Sequence, residues 1–159
     1  MVAYHNTLID YYNELIDGAK AAEESSVLVL NVWQNTIYKK EDDETDKFTK
    51  DDNGKFYENY QDALDVLYNE ESFKQGKENI LKQQEKVDKL YKKLMNPPEQ
   101  YEEGFDIAKK LYSAYTDLCL CGTKPSGNIN SASSRYTEAD NDCGKYIKEL
   151  RLFIEDIED

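Results

Sequence analysis

The fold is decided by residues 132–157, ASSRYTEADNDCGKYIKELRLFIEDI. Apolar and aromatic residues recur there at alternating steps of four and three, the spacing that places side chains on one face of an α-helix. The repeat consists of Ala132, Tyr136, Ala139, Cys143, Tyr146, Leu150, Phe153 and Ile157. An apolar face of this length predicts one long amphipathic helix that packs against other helices.

A first long helix is predicted over residues 3–38. Its apolar face carries Leu8 and Leu15 and reaches Trp33, which we expect to be a buried packing residue. The β-branched run Val27–Val32 leaves a strand as the alternative. The helical spacing continues through this run without a break, which favours the helix.

Residues 39–56 interrupt the helical pattern and predict a long acidic loop. They combine the acidic run Glu41–Asp46 with the turn residues Asp51–Gly54. A short helix is predicted to follow over residues 57–69, with apolar residues on one side.

Two more long helices are predicted, over residues 71–95 and from Pro98 to Gly122. The first ends at Asn96-Pro97-Pro98, because proline cannot continue a helix and forces its predecessor out of the α region. Pro98 is expected to open the next helix in its first turn. Gly122 is expected to be the C-terminal cap of that helix.

Four long amphipathic helices predict an all-α fold, an antiparallel up-down four-helix bundle. The long acidic loop and the short extra helix lie between the first and second long helices. We expect residues 1–159 to form a single helical-bundle domain, since single domains cluster at about 100–150 residues.

The composition excludes several classes of protein. The chain carries 33 acidic and 20 basic residues, a formal net charge of −13, so direct binding to nucleic acid, which needs a basic face, is not expected. It also carries 13 Tyr, 5 Phe and 1 Trp, too many aromatic residues for a disordered acidic chain. No apolar run approaches the roughly 18 residues of a transmembrane helix, so no transmembrane segment is predicted.

Three motifs carry a resemblance to a known family: Leu94-Met95-Asn96-Pro97-Pro98-Glu99-Gln100-Tyr101, Leu111-Tyr112-Ser113-Ala114-Tyr115 and Pro125-Ser126-Gly127. With Val32-Trp33-Gln34-Asn35-Thr36-Ile37, they resemble small helical domains of secreted or lipid-anchored proteins from Gram-positive (Firmicute) bacteria. The resemblance covers about residues 27–150. It implies a helical fold and a location at the cell surface or outside the cell, and it implies no catalytic residue.

The first residues, Met1–His5, show no basic segment followed by an apolar one, so no signal peptide is visible. A cytoplasmic location therefore stays open as the alternative, beside a leader that has been removed.

The turn residues of the acidic loop match a calcium-binding loop in part. With Gly54 at the sixth position of an EF-hand loop, Asp51 and Asn53 match ligand positions. Thr49 and Tyr60, however, stand where the first Asp and the bidentate Glu are required. A solvated acidic loop is therefore expected.

The residue types that bind zinc are present in the right number, as Cys119, Cys121, Cys143 and His5. Residues two apart on a helix point about 200° apart, and His5 lies at the opposite end of the predicted bundle from Cys119. No metal site is therefore predicted. Cys143 lies roughly 18 Å along the last helix from its expected start near Ser131, at about 1.5 Å per residue, whereas Cys119 lies near the end of the neighbouring helix, so no intramolecular disulfide is predicted. We expect buried, unreactive thiols at Cys119 and Cys143. A thiol or metal sensor that uses Cys119 and Cys121 is the weakest hypothesis.

No enzyme activity and no cofactor are predicted. His5 is the single histidine, and no Ser/His/Asp or Cys/His arrangement can be assembled around it. The sequence also lacks a Glu-x-x-His pair for a di-iron site and a glycine-rich phosphate loop.

The tyrosines divide into two groups. The first lies on helical faces and is predicted to pack in the core: Tyr12, Tyr91, Tyr101, Tyr112, Tyr115, Tyr136 and Tyr146. The second lies off these faces or near loops: Tyr4, Tyr11, Tyr38, Tyr57, Tyr60 and Tyr68. Several exposed tyrosines can mark a binding surface, although scattered surface residues are the simpler interpretation.

The candidate interaction surface is the acidic loop with its neighbouring tyrosines: Tyr38, Glu41, Asp42, Asp43, Glu44, Asp46, Tyr57 and Tyr60. We expect a non-catalytic structural or protein-interaction module, at the bacterial cell surface, with a protein partner that the sequence does not identify. The alternative is a cytoplasmic acidic inhibitor that mimics nucleic acid. Lysines interspersed among the acidic residues disfavour that alternative.

Overall fold

The computed structural model describes residues 2–158, so Met1 and Asp159, the ends of the predicted domain, lie outside the described residues. This part of the chain is all-α, as predicted. Its α-helices are α1 (Val2–Tyr38), α2 (Asp46–Thr49), α3 (Tyr60–Asn69), α4 (Glu71–Leu94), α5 (Glu102–Thr123) and α6 (Ile129–Glu158). A 3-10 turn over Glu99–Tyr101 precedes α5.

The long first helix is confirmed, and it excludes the alternative strand because α1 continues through Val27–Val32. It ends at Tyr38, since Lys39 adopts the left-handed region with φ 51°. The N–H of Lys40 then donates to the carbonyl of Asn35 at 2.9 Å. This geometry is the Schellman motif, in which glycine usually occupies the left-handed position.

The acidic loop, predicted over residues 39–56, contains more regular structure than predicted. It includes the one-turn helix α2 and an antiparallel bridge between Lys50 and Phe56. Gly54 has a φ of 75° in the turn between these two residues, a conformation that glycine adopts without steric cost.

Two predicted helix starts are corrected. α3 begins at Tyr60 rather than at residue 57, because the Asn59 side chain accepts a backbone N–H of the first turn as an N-cap. α5 begins at Glu102 rather than at Pro98, because the intervening residues form the tighter 3-10 turn.

Gly122 is not the C-terminal cap of α5, contrary to the prediction, since it lies inside the helix and is buried. A Cβ at this position would stand 2.9 Å from the carbonyl oxygen of Ala22 on α1. The Ser25 hydroxyl donates to the carbonyl of Gly122 at 2.7 Å. The absence of a side chain therefore permits a close approach of α1 and α5.

Two groups of buried side chains hold the helices together. The main core joins α1, α4, α5 and α6 and consists of Leu8, Tyr11, Leu15, Ala19, Ala22, Ile80, Val87, Leu94, Tyr101, Ala108, Leu111, Ala114, Tyr115, Leu118, Cys119, Ala139, Cys143, Leu150 and Ile154. The distal core lies between the end of α1, the acidic loop and α3, and consists of Val29, Leu30, Val32, Trp33, Phe48, Ala63, Leu64, Leu67, Phe73 and Ala132.

Trp33 is confirmed as a packing residue, because it is 4% exposed and belongs to the distal core. Its ring stacks on Tyr60, with 5.1 Å between the ring centroids. The long first helix therefore contributes to both cores.

Tyr11 corrects the division of the tyrosines. It was predicted to lie off the apolar face, but it is fully buried, and its hydroxyl donates to the carbonyl of Ala108 at 2.8 Å. Tyr12, which was assigned to the core, is half-buried and packs against the main core, as do Tyr91, Tyr112, Tyr136 and Tyr146. On a helix of 3.6 residues per turn, the next residue on the same face lies three or four positions further along. After Leu8 the buried residue is Tyr11, three positions further along, rather than Tyr12 at four.

Candidate functional site

The acidic loop is anchored to α1 by a buried polar pair. Thr45 and Asn35 are both buried, and the Asn35 side-chain amide donates to the Thr45 hydroxyl at 2.9 Å. Phe48 follows on α2 and is buried in the distal core. Buried polar groups are costly unless they are paired, so this hydrogen bond holds the loop in one position on α1.

Two predicted site residues, Asp42 and Asp46, stabilise the loop from inside. The backbone N–H of Asp42 donates to the Asp46 carboxylate at 3.0 Å. The Asp42 carboxylate accepts the N–H of Glu44 at 2.9 Å, and the Asp42 carbonyl accepts the N–H of Asp46 at 2.8 Å. These carboxylates therefore cap backbone groups of the loop itself.

Lys50 compensates part of the acidic charge. Its ammonium lies 2.9 Å from the Asp46 carboxylate and 3.2 Å from the Glu41 carboxylate. The hydrogen bond from the Asp42 N–H, together with Lys50, holds the pKa of Asp46 below its ordinary value. The hydrogen bond to Asp46 in turn raises the pKa of Lys50. The loop is thus acidic but internally paired.

The predicted aromatic residues of the site are divided by the structure. Tyr38 is 69% exposed at the end of α1. Tyr57 and Tyr60 are half-buried and pack against the distal core. The outward face of the acidic loop is therefore formed by Tyr38 and the exposed carboxylates of Glu41, Asp43 and Glu44.

In the turn that partly matches a calcium-binding loop, the first carboxylate accepts backbone hydrogen bonds. Asp51 accepts the backbone N–H groups of Asn53 and Lys55, each at 2.9 Å. The carboxylate therefore closes an Asx turn. Over the part of the chain that the structure describes, no group of three or more His, Cys, Asp or Glu is placed to hold a metal ion.

The candidate zinc ligands are not brought together. His5 lies beside Tyr101, with 6.1 Å between the ring centroids, near the start of α5. Cys119 lies near the other end of α5. Cys119 and Cys143 are buried in the main core, whereas Cys121 lies on another side of α5 and is half-buried.

The three thiols are free, and burial makes them weak nucleophiles. Burial raises the pKa of Cys119 and of Cys143 to about 12. It also raises the pKa of Cys121. Because the thiolate is the reactive form and the metal ligand, this environment does not favour the sensor hypothesis.

A groove between α5 and α6 was missed by the sequence analysis. A cavity of about 660 Å³ opens between Lys110 and Ser126 on one side and Ala132 and Tyr146 on the other. A second cavity, of about 900 Å³, continues along the same helices past Lys110 to Gln100. These two adjoining cavities share Lys110, and we name them together the α5–α6 groove. The heptad pattern identifies the buried face of each helix, but not the space between their outer faces.

Comparison with known proteins adds no relative, because no family model, no curated protein and no solved structure matches this chain. The resemblance to Gram-positive helical domains therefore stays a prediction. Among residues 2–158, no helix has both the length and the apolar character required to cross a membrane.

Proposed function

We propose that this chain is a non-catalytic protein-interaction module of the bacterial cell surface, built on an antiparallel up-down four-helix bundle. Contacts between α1 and α4 support opposite helix directions. The Tyr4 hydroxyl donates to the carbonyl of Leu94 at 3.0 Å, and the Gln83 amide donates to the carbonyl of Glu14 at 2.8 Å. Residue numbers therefore increase along α1 in the direction in which they decrease along α4, as expected for an antiparallel pair.

One observation carries the interaction role: the acidic loop is a preorganised surface. Ordering a chain segment costs about 1–2 kcal/mol of backbone entropy per residue, and a simple connection between helices does not need that order. Here internal hydrogen bonds, the Asn35–Thr45 pair and Phe48 hold the loop against α1. Preorganisation lowers the entropic cost of binding a partner.

The outward face of the loop suits a basic protein surface. Tyr38 offers an exposed aromatic ring, a residue type enriched at interfaces. Glu41, Asp43 and Glu44 are exposed beside it in sequence, and their charge would accelerate encounter with a basic partner.

The alternative, a cytoplasmic inhibitor that mimics nucleic acid, has less support. A phosphate replica requires a row of unpaired carboxylates. In this loop the Lys50 ammonium forms ion pairs with the carboxylates of Glu41 and Asp46. The Lys39 ammonium lies 3.4 Å from the Glu58 carboxylate. Mixed signs are typical of a solvated protein surface.

Site-specific photo-crosslinking in intact host cells tests this proposal. A photoreactive amino acid at Asp43 should yield a crosslinked protein product, whereas the same group at exposed Leu81 on α4 should not. Glu41→Gln with Glu44→Gln should reduce the product. Equal products at both positions, or none at Asp43, would contradict the interaction role.

The same cells test the location and the alternative. Digestion of the chain by protease added outside intact cells is expected, and protection would contradict the surface location. A crosslinked product that is a basic nucleic-acid-binding enzyme would support the inhibitor instead.

A further inference from the structure

The α5–α6 groove is a second surface, separate from the face of the acidic loop. On α5 its lining residues follow a helical stripe through Lys110, Ala114, Asp117 and Cys121, and the stripe continues in the other direction to Gln100. α5 has 22 residues, which span roughly 33 Å at about 1.5 Å per residue. The groove is therefore as long as a helix of six turns.

The floor of the groove is apolar, and the side chains at its centre are small. Ala114 and Ala139 are buried there, with Tyr146 beside them. Small residues let another helix approach to the 8–10 Å axis separation typical of helix packing. Leu120, 50% exposed, and Leu152, 44% exposed, add apolar side chains towards the two ends.

The charge of the groove is unevenly distributed along its length. Eight acidic and three basic residues line the two cavities. The acidic residues of the half near Gln100 are Glu102, Glu103, Asp106, Glu149 and Asp156. Lys110 is the basic residue that lines this half, and the ammonium of Lys109 beside it pairs with the Asp106 carboxylate at 3.4 Å. The other four carboxylates of this half have no ion-pair partner among the described residues. The other half contains Lys124 and Arg135, and the Arg135 guanidinium already donates to the carbonyl of Ser126.

We propose that the α5–α6 groove binds an amphipathic α-helix of a protein partner, basic at the end that lies over Glu102, Glu103 and Asp106. The groove length and small-residue floor fit a helix with apolar residues at i, i+3, i+4 and i+7. The acidic half selects the direction of that helix. A second copy of this chain is a poor occupant, because it would place the same acidic excess against itself.

A synthetic peptide provides a defined probe. It is a helical Leu/Lys peptide of about 22 residues, the length of α5, with its lysines concentrated in one half and a fluorophore at one end. Anisotropy titration with the full chain should show saturable binding. A scrambled peptide of the same composition loses the apolar face and should bind at least about tenfold more weakly.

Two groove variants and one matched control separate helix docking from attraction to a negative protein. Glu103→Lys with Asp106→Lys should weaken binding by about tenfold or more. Ser113→Trp, an exposed position in the groove, should do the same by filling it. Glu78→Lys with Glu85→Lys, at exposed positions of α4, changes the net charge equally, outside both the groove and the acidic loop, and should have a much smaller effect.

The outcomes decide the proposal. Equal losses for the groove pair and the α4 pair would mean binding by net charge and would overturn it. Unchanged binding by the Ser113→Trp variant, with a wild-type melting curve, would also overturn it. So would a dimer in sedimentation equilibrium that Ser113→Trp abolishes, since a second copy would then occupy the groove. These results leave the role of the acidic loop unaffected, because the crosslinking test reports on a different surface.

Discussion

The main core joins four helices along their length, whereas the distal core lies where α1 meets the acidic loop and α3. In the main core, the buried hydroxyl of Tyr11 is satisfied by the carbonyl of Ala108. At the distal core, the Trp33 indole N–H and the Thr49 hydroxyl have no hydrogen-bond partner among the described residues, whereas in the larger main core this holds for the Tyr115 hydroxyl alone. The distal core is also the smaller of the two, with ten buried residues against nineteen in the main core among those that the structure describes.

This difference bears on how the two regions respond to change. Buried polar atoms without partners subtract from stability, and a small core has fewer contacts with which to offset that cost. We expect the distal core to be the weaker region, and the following variants test that comparison.

The largest effect is expected for Trp33→Ala, at about 3–5 kcal/mol of unfolding free energy, because a large buried ring is lost. Denaturant unfolding followed by circular dichroism measures it. Trp33→Phe keeps a ring against Tyr60 and removes the unpartnered N–H, so its loss should be smaller. A wild-type unfolding curve for the alanine variant would show that the distal core contributes nothing to global stability.

A glycine pair should give effects of opposite sign. Gly122→Ala is expected to destabilise by about 1–3 kcal/mol, because its Cβ would press on the α1 backbone at Ala22. Gly144→Ala, on the exposed side of α6 with open space around it, should stabilise by about 0.5–1 kcal/mol through helix propensity. Thermal melts of both variants check the signs. Stabilisation by Gly122→Ala would mean that α1 and α5 are farther apart.

A tyrosine pair tests polar satisfaction within the main core. Tyr11→Phe removes a buried hydrogen bond to Ala108 and should cost about 0.5–1.5 kcal/mol. The Tyr115 hydroxyl lies beside the Cys119 thiol, a weak hydrogen-bonding group, and has no other partner among the described residues. Tyr115→Phe should therefore be neutral or stabilising. Equal losses in denaturant unfolding would show that both hydroxyls are satisfied.

The smallest effect concerns pH and the acidic loop. The pKa of Asp46 in the folded chain lies below its ordinary value of 3.8, so its stabilising contribution is complete above that value. The contribution is lost as pH falls through the folded pKa. The melting-temperature difference between wild type and Asp46→Asn should shrink as pH is lowered below 3.8. A difference that is constant with pH would show that Asp46 does not bind Asp42 and Lys50. Solvent screening keeps the effect small.

Sequence periodicity alone determined the α-helical class, the continuity of α1 through Val27–Val32 and the burial of Trp33. These features follow from repeats within one helix, where the geometry of 3.6 residues per turn converts spacing into a buried face. The acidic loop was located by composition, since charge runs and turn residues act locally.

Only the tertiary structure decided which side chains of that loop face outward. Asp42 and Asp46 cap backbone groups and Tyr60 stacks on Trp33, leaving Tyr38 and Glu41 exposed. The capping contacts of Asp42 and Asp46 are local, but the stacking of Tyr60 on Trp33 joins residues far apart in the sequence, which no local pattern encodes.

The role of Gly122 and the existence of the α5–α6 groove were likewise decided by tertiary structure. Gly122 is predicted to be a helix cap because glycine favours caps, but it lies inside α5, where the missing side chain leaves room for the Ala22 carbonyl. The groove arises from the packing of two helices, so its lining from Gln100 to Ser126 becomes one surface only when α6 lies beside α5. Spacing along one helix determines what it buries, whereas the shape between two helices depends on their relative placement.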